Sequence, residues 1–297
     1  MANQPPLTYF TKAHIEEASN ALQNLGKTER KFTLKDDLGN AIQGQVSICE
    51  SERDRPTLCY HSYQTRQLIA CCVLSRGDAE HHTGHTCPVW IGNQPIWDRC
   101  KHTSSTDEQW ALWKKEWEKS PMCRNIKDLA NGKVKIPNVT KIICFGLGCP
   151  DLDDSGLRYG GSHQQHLAAC TLRDVLSEIL GADIKIYAQD PNYCAAGKQM
   201  LMNKFGITIV DDPAGWLLLD AETLVMTVCP SVCVRQIACD ILKDSGGPAG
   251  LFGFKIVGDG VFPPQKTLKL AWTGPQRSKA FVKWGTSENW REKMGGP

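Results

Sequence analysis

Residues 141–148 read KIICFGLG. Ile142 to Phe145 form an unbroken apolar run, too short for an ordinary helix and without the alternation of a strand that has one wet face. A short strand buried on both sides is therefore predicted over 141–145. Gly146-Leu147-Gly148 then supplies a tight turn. A helix is predicted over 162–180, with Leu167, Thr171, Val175 and Ile179 along one stripe. Strands at 184–188, 207–210 and 223–228 alternate with helices at 195–205 and 232–241, and a last strand falls near 251–254. Such alternation, with right-handed crossovers, gives an α/β fold: a Rossmann-like, mostly parallel sheet with helices on both faces. Ligands of these sheets bind outside the carboxyl ends of the strands, where the unusual residues of this sequence cluster.

Upstream, residues 1–135 read as a mixed α/β region. Thr11 can cap a helix whose Ile15, Ala18, Leu22 and Leu25 recur at helical spacing, with Gly26 as its stop. Residues 31–35 and 41–48 read as a hairpin around Asp36-Asp37-Leu38-Gly39-Asn40, with Ile42, Val46 and Ile48 on one side. Ser105-x-x-Glu108 is a capping box ahead of a helix carrying Trp110, Trp113 and Trp117 on one face. That face is either a packing stripe or a stacking platform for bases. Ser120-Pro121 ends the helix, and Asn131-Gly132 opens a linker. The expected organisation is an accessory region over 1–135, a core over 136–254, and a basic, aromatic extension over 255–297 packed on or beside the core.

Charged residues make up 22% of the chain and hydrophobic ones 41%, which excludes wholesale disorder. The longest apolar run, 68–74, is seven residues, whereas a membrane-spanning helix needs about 20. The opening MANQPPLTYF has neither the cationic nor the apolar part of a signal peptide, so a cytoplasmic protein with no membrane partner is expected. The 14 cysteines include no CxxC, and Cys71, Cys72, Cys144, Cys170 and Cys239 lie inside apolar runs. Buried, reduced thiols are expected rather than a disulfide scaffold. The net charge of +2 is unevenly spread: residues 141–250 hold 8 Lys+Arg against 13 Asp+Glu, and residues 251–297 hold 8 against 3. An acidic centre suits a cationic ligand and a basic tail suits a polyanion, while solvated charge is the alternative for any single residue.

Gly146-x-Gly148 begins like a dinucleotide loop, but position 151, where the third glycine belongs, is aspartate, and no Lys-Ser/Thr follows. The loop instead carries Cys149, Asp151, Asp153, Asp154 and Ser155, a poor cradle for phosphate and a better one for an amine or guanidinium; a solvated acidic loop is the alternative. His163 and His166 fall in the first turn of the next helix, where they could bind an anion, act as acid or base, or simply cap. Tyr187-Ala188-Gln189-Asp190-Pro191, Asp211-Asp212-Pro213 and Cys229-Pro230-Ser231 follow successive strands, with Arg235 and Asp240 on the next helix. Three carboxylates thus sit at the expected mouth, unless the Asp-Pro pairs are structural turns. His81, His82, His85 and Cys87 lack a second ligand pair, so a His-rich surface loop is expected and no metal.

The ordered series KIICFGLGCPD, HQQHLAACTLRDVL, IYAQDPNY and FGITIVDDPAGWLLLDAETLVMTVCPSVCVRQIACDI, from Lys141 to Ile241, resembles the sensitivity-to-red-light-reduced (SRR-like) domain family. The chain is similar to a fungal-looking branch of it, the arginine-containing cyclodipeptide synthases. The resemblance implies a Rossmann-like enzyme that uses arginyl-tRNA and a second aminoacyl-tRNA, releases a cyclic dipeptide and needs no cofactor. On that reading Asp190, with Asp211 or Asp212, binds the arginine guanidinium, and Gly146, Gly148, Asp151, Tyr187, Gln189, Ser231 and Arg235 line the substrate site. Cys149, Ser155 or Ser162 accepts the first aminoacyl group, with His163 or His166 as base, unless aminolysis is direct. Lys279, Lys283, Trp284 and Arg291 contact tRNA. The other reading is a non-catalytic SRR-like regulator or small-molecule binder, haem included.

Overall fold

A computed structural model describes residues 9–26, 30–36, 39–46, 54–61, 87–95, 107–131, 136–150, 162–228, 232–254 and 280–284. Its centre is a sheet of parallel strands β5 (Lys141–Phe145), β6 (Lys185–Gln189), β7 (Ile207–Ile209), β8 (Thr223–Thr227) and β9 (Gly250–Phe254), to which β10 (Ala280–Trp284) adds antiparallel. The spatial order is β10-β9-β8-β5-β6-β7. From β5 the chain winds first toward β7 and then, through β8, toward β9, so the strand order reverses between β5 and β8. The helices of the crossovers are α4 (Ser162–Leu180), α5 (Ala195–Phe205), α6 (Ala214–Leu217) and α7 (Val234–Ile241).

Every residue of β8 is buried, and so are residues 142–145 of β5, because each strand has a neighbour on both edges and an apolar layer on both faces. Alternation sorts the side chains. Ile142, Cys144, Ile186, Ala188, Leu224 and Met226 join one layer with α4 and α5. Ile143, Phe145 and Val225 join the other with α6 and α7.

The N-terminal residues divide between these two layers. Helix α1 (Lys12–Gln23) and the hairpins β1 (Lys31–Lys35)–β2 (Ala41–Gln45) and β3 (Asp54–Tyr60)–β4 (Val89–Pro95) cover the α6/α7 face, where Phe10, Ile15, Leu34, Leu58 and Ile91 pack with Phe145 and Trp216. Polar ties fix the docking. The Lys12 ammonium donates to the carbonyls of Leu217 (2.7 Å) and Leu219 (2.8 Å), at the C-terminal end of α6, and the Phe10 N–H donates to Asp240 at 3.2 Å. Helices α2 (Asp107–Lys119) and α3 (Pro121–Lys127) lie on the opposite face with α4. Trp110, Trp113 and Trp117 are all buried there, and the Trp117 indole donates to Thr171 at 2.9 Å. The tryptophan face is therefore a packing stripe.

Thr11 caps α1 by accepting from the His14 N–H, as its position predicts. The helix ends at Gln23, ahead of Gly26, where the bonding tightens: the Leu25 N–H donates to Leu22, three residues back. Ile179 departs from the predicted stripe: it is exposed, since Leu172, Val175 and Leu176 carry the buried face of α4 through its last turns. Ser120-Pro121 does more than end α2, for the Ser120 hydroxyl accepts from the Cys123 N–H and starts α3. Ile48, the capping Ser105, His81, His82 and His85 lie outside the described residues, while Cys87 is buried. No helix among the described residues is long and apolar enough to cross a membrane.

Candidate functional site

Gly146 and Gly148 both take positive φ, 70° and 73°, so the turn after β5 uses the conformation that glycine adopts without strain. The turn is held from two sides. The Gly148 N–H donates to one oxygen of Asp190 at 2.6 Å, and the Asn192 N–H donates to the other at 2.8 Å. On the second side, the Ser162 hydroxyl shares its proton between the carbonyls of Leu147 (2.8 Å) and Cys149 (3.0 Å). Burial raises the Asp190 carboxyl, and the two backbone donors work against that rise.

His166 is fully buried with both ring nitrogens engaged. Nδ1–H donates to the Ser162 carbonyl at 2.7 Å and Nε2 accepts from the Tyr193 hydroxyl at 2.8 Å. A carbonyl can only accept, so in the neutral ring Nδ1 carries the proton. Burial lowers its pKa to about 4. His163 stacks on Trp113, ring centroids 4.2 Å apart, and burial lowers it to about 4 as well. The unfolded chain takes up these protons near 6.5, so their contribution to stability is complete above 6.5 and is lost as pH falls toward 4. His166→Gln is expected to remove about 1.4 kcal/mol per pH unit from the acid slope of stability, measured by urea unfolding between pH 7 and pH 5. An unchanged slope would place the proton uptake elsewhere.

A second cluster forms on the other face of the sheet. Gln189, at the end of β6, accepts from the Gly215 N–H at 2.8 Å and donates its own amide to Asp212 at 2.9 Å. Tyr60, at the end of β3, donates its hydroxyl to the same Asp212 oxygen at 2.6 Å. Behind them Trp216 stacks on Phe145, centroids 3.8 Å apart and planes 11° from parallel, and Tyr60 tilts against Trp216 at 5.5 Å. The Trp216 indole N–H is buried without a hydrogen-bond partner. Asp212 is exposed as a residue, while its Oδ1 accepts both the Tyr60 hydroxyl and the Gln189 amide. Lost hydration pushes the group up to about 6, and the donors around it offset part of the rise. Burial, and then the Asp212 charge, push the Tyr60 hydroxyl well above its ordinary value.

The residues nominated from sequence thus fall into two groups. Gly146, Gly148, Cys149, Ser162, His166 and Asp190 surround the turn after β5, and Gln189 joins Asp212 across the sheet. Asp211 pairs with Lys198 at 2.8 Å. Tyr187 packs against the apolar layer beneath the N-terminal residues, and Arg235 is exposed on α7. Lys283 and Trp284 belong to β10, opposite Leu251 and Gly250 of β9. Asp151, Asp153, Asp154, Ser155, Ser231, Lys279 and Arg291 lie outside the described residues. Tyr60, Tyr193, Trp216 and Cys194 escaped the sequence reading. Tyr193 was within reach, three residues past Asp190, but Tyr60 stands 152 residues from Asp212 with no local signal.

Residues 114–257 match the SRR1 domain family. The match contains the whole 141–241 series and reaches back into α2, as expected if the tryptophan helix and α3 belong to the same packed unit as α4. No curated protein matches the chain.

Proposed function

We propose, from the match of residues 114–257 to the SRR1 domain family, that the protein is an arginine-dependent cyclodipeptide synthase that draws its substrates from aminoacyl-tRNA. The observation that carries this reading is the Asp212 carboxyl, set beside Tyr60 and Gln189 against the Phe145–Trp216 stack. A guanidinium is planar and offers paired donors to a carboxylate, and the Asp212 carboxyl, held by Tyr60 and Gln189 on an exposed residue, is an acceptor of that kind. Support also comes from the resemblance of the 141–241 series and from the acidic strand ends.

The chemistry asks little of a cofactor, because both amino acids arrive as activated esters. The amine of one aminoacyl group attacks the ester carbonyl of the other and forms an amide as one tRNA leaves. The remaining ester is then attacked by the second amine, which closes the ring and frees the second tRNA. Two ester bonds break, two amide bonds form, and each departing ribose hydroxyl takes up a proton that an amine gives up. The protein's work is to position two groups and to keep water from the esters. Incubating the purified full chain with arginyl-tRNA and a mixture of the other aminoacyl-tRNAs is expected to yield an Arg-containing diketopiperazine by mass spectrometry. Its absence with folded protein would overturn the reading.

On this reading the basic extension, which includes β10, holds the tRNA. Replacing Lys279 and Lys283 together by Ala is expected to weaken binding of charged tRNA and to flatten its dependence on salt. The log–log slope should fall by about 0.7 for each single-strand phosphate that is no longer neutralised. The choice of amino acid should not change. An unaltered slope would move the RNA surface to another cationic stretch, such as residues 114–135.

A further inference from the structure

Cys149 ends the turn after β5 and Cys194 opens α5, and their Sγ atoms lie 3.5 Å apart. Cys194 is the N-cap of that helix, its sulfur accepting from the Gly197 N–H at 3.1 Å, so its side chain is held over the first helical turn. Gly197 makes room for both sulfurs: a Cβ there would stand 2.6 Å from Cys149 Sγ and 3.2 Å from Cys194 Sγ. Both cysteines are only half-buried, within reach of a small reagent, whereas Cys123, Cys144 and Cys170 are buried. A disulfide requires an S–S separation near 2.05 Å, so closure asks for an approach of about 1.5 Å, which modest rotations about the two χ1 angles can supply.

We propose that Cys149 and Cys194 form a modification site, a thiol pair that reacts with low-molecular-weight disulfides of the glutathione class and closes into an intramolecular disulfide. One cysteine, as thiolate, attacks a sulfur of glutathione disulfide; the S–S bond breaks, one glutathione leaves as thiolate, and a mixed disulfide remains on the protein. The neighbouring thiolate attacks the protein sulfur of that mixed disulfide and expels the second glutathione. In sum, two protein thiols are oxidised, one glutathione disulfide is reduced to two thiols, and the two protons pass to the departing thiolates. The new bond would tie the turn carrying Gly148 to the start of α5, on either side of Asp190. The site stands whether or not the protein makes a cyclic dipeptide.

The test uses the full chain, treated with glutathione disulfide, quenched in acid and digested with trypsin. The expected product is peptide 142–158 linked to peptide 186–198, two hydrogens lighter than their sum and free of glutathione, and reversed by dithiothreitol. Cys149→Ser should abolish the link and leave glutathione on Cys194, and Cys194→Ser should leave it on Cys149. Gly197→Ala keeps both thiols but fills the gap beneath them, and should slow closure by about tenfold or more through the geometry it disturbs. Stable glutathione on both cysteines of the wild-type chain without a linked peptide would overturn the proposal. So would a link that survives in Cys149→Ser, because Cys144 of the same peptide would then be its source.

Discussion

Asp212→Asn is expected to cut the yield of Arg-containing cyclic dipeptide by about 100-fold or more while leaving the fold in place. The substitution keeps the size of the side chain and one acceptor for Tyr60 and Gln189, but it removes the only charge of that cluster. Removing one partner of a hydrogen-bonded charge pair costs about 2–5 kcal/mol, and each 1.4 kcal/mol is about tenfold in affinity. The wild-type protein should show the same loss as a titration. With the Asp212 group at about 6, arginine incorporation should fall as pH drops through 6 and level off above it, because only the carboxylate pairs with guanidinium. Full arginine incorporation in Asp212→Asn, measured by mass spectrometry beside circular dichroism of the same preparation, would remove Asp212 from the substrate site.

Asp190→Ala is expected to act on stability. Its carboxylate accepts the N–H groups of Gly148 and Asn192 in a buried position, and deletion leaves both donors without a partner at about 1–3 kcal/mol each. A loss of roughly 2–6 kcal/mol is a large share of the roughly 5–15 kcal/mol typical of a domain. Urea unfolding followed by tryptophan fluorescence would register it. Asp190→Asn should recover only part, since its amide end faces one of the two N–H groups. Unchanged stability with loss of the arginine product would return Asp190 to the guanidinium role that its place after β6 suggested.

The five parallel strands of the core were legible in the sequence, whereas β10 falls in the stretch expected only as a basic, aromatic extension. Residues 142–145 and 224–226 are short continuous apolar runs, and their length and β-branched content suit a strand buried on both faces. The helices over 162–180 and 195–205 have the expected bounds, and in the structure the second is closed by Cys194 as N-cap and by Gly206 in the left-handed region. Helix α6 escaped notice because four residues are too few to show a period, and α3 because Ser120-Pro121 was read as a stop and not also as a start. At the site, the sequence marked Asp190, Asp211 and Asp212 by position alone. It could not separate a carboxylate spent on two backbone N–H groups from one paired with Lys198 or one enclosed by Tyr60 and Gln189.

Taken alone, the sequence determined the α/β class, the positions of most core elements, the glycine turn after β5 and the acidic character of the strand ends. Each of these follows from residues near one another in the chain: apolar period, capping residues, and glycine where φ must be positive. Only the tertiary structure decided that α1 and the two hairpins form a face of the same core, that Tyr60 reaches Asp212, that Trp216 stacks on Phe145, and that Cys149 meets Cys194. Those pairings join segments far apart in sequence. They are selected by how whole elements pack on the two faces of one sheet, a property of shape and volume that no local pattern of residues encodes.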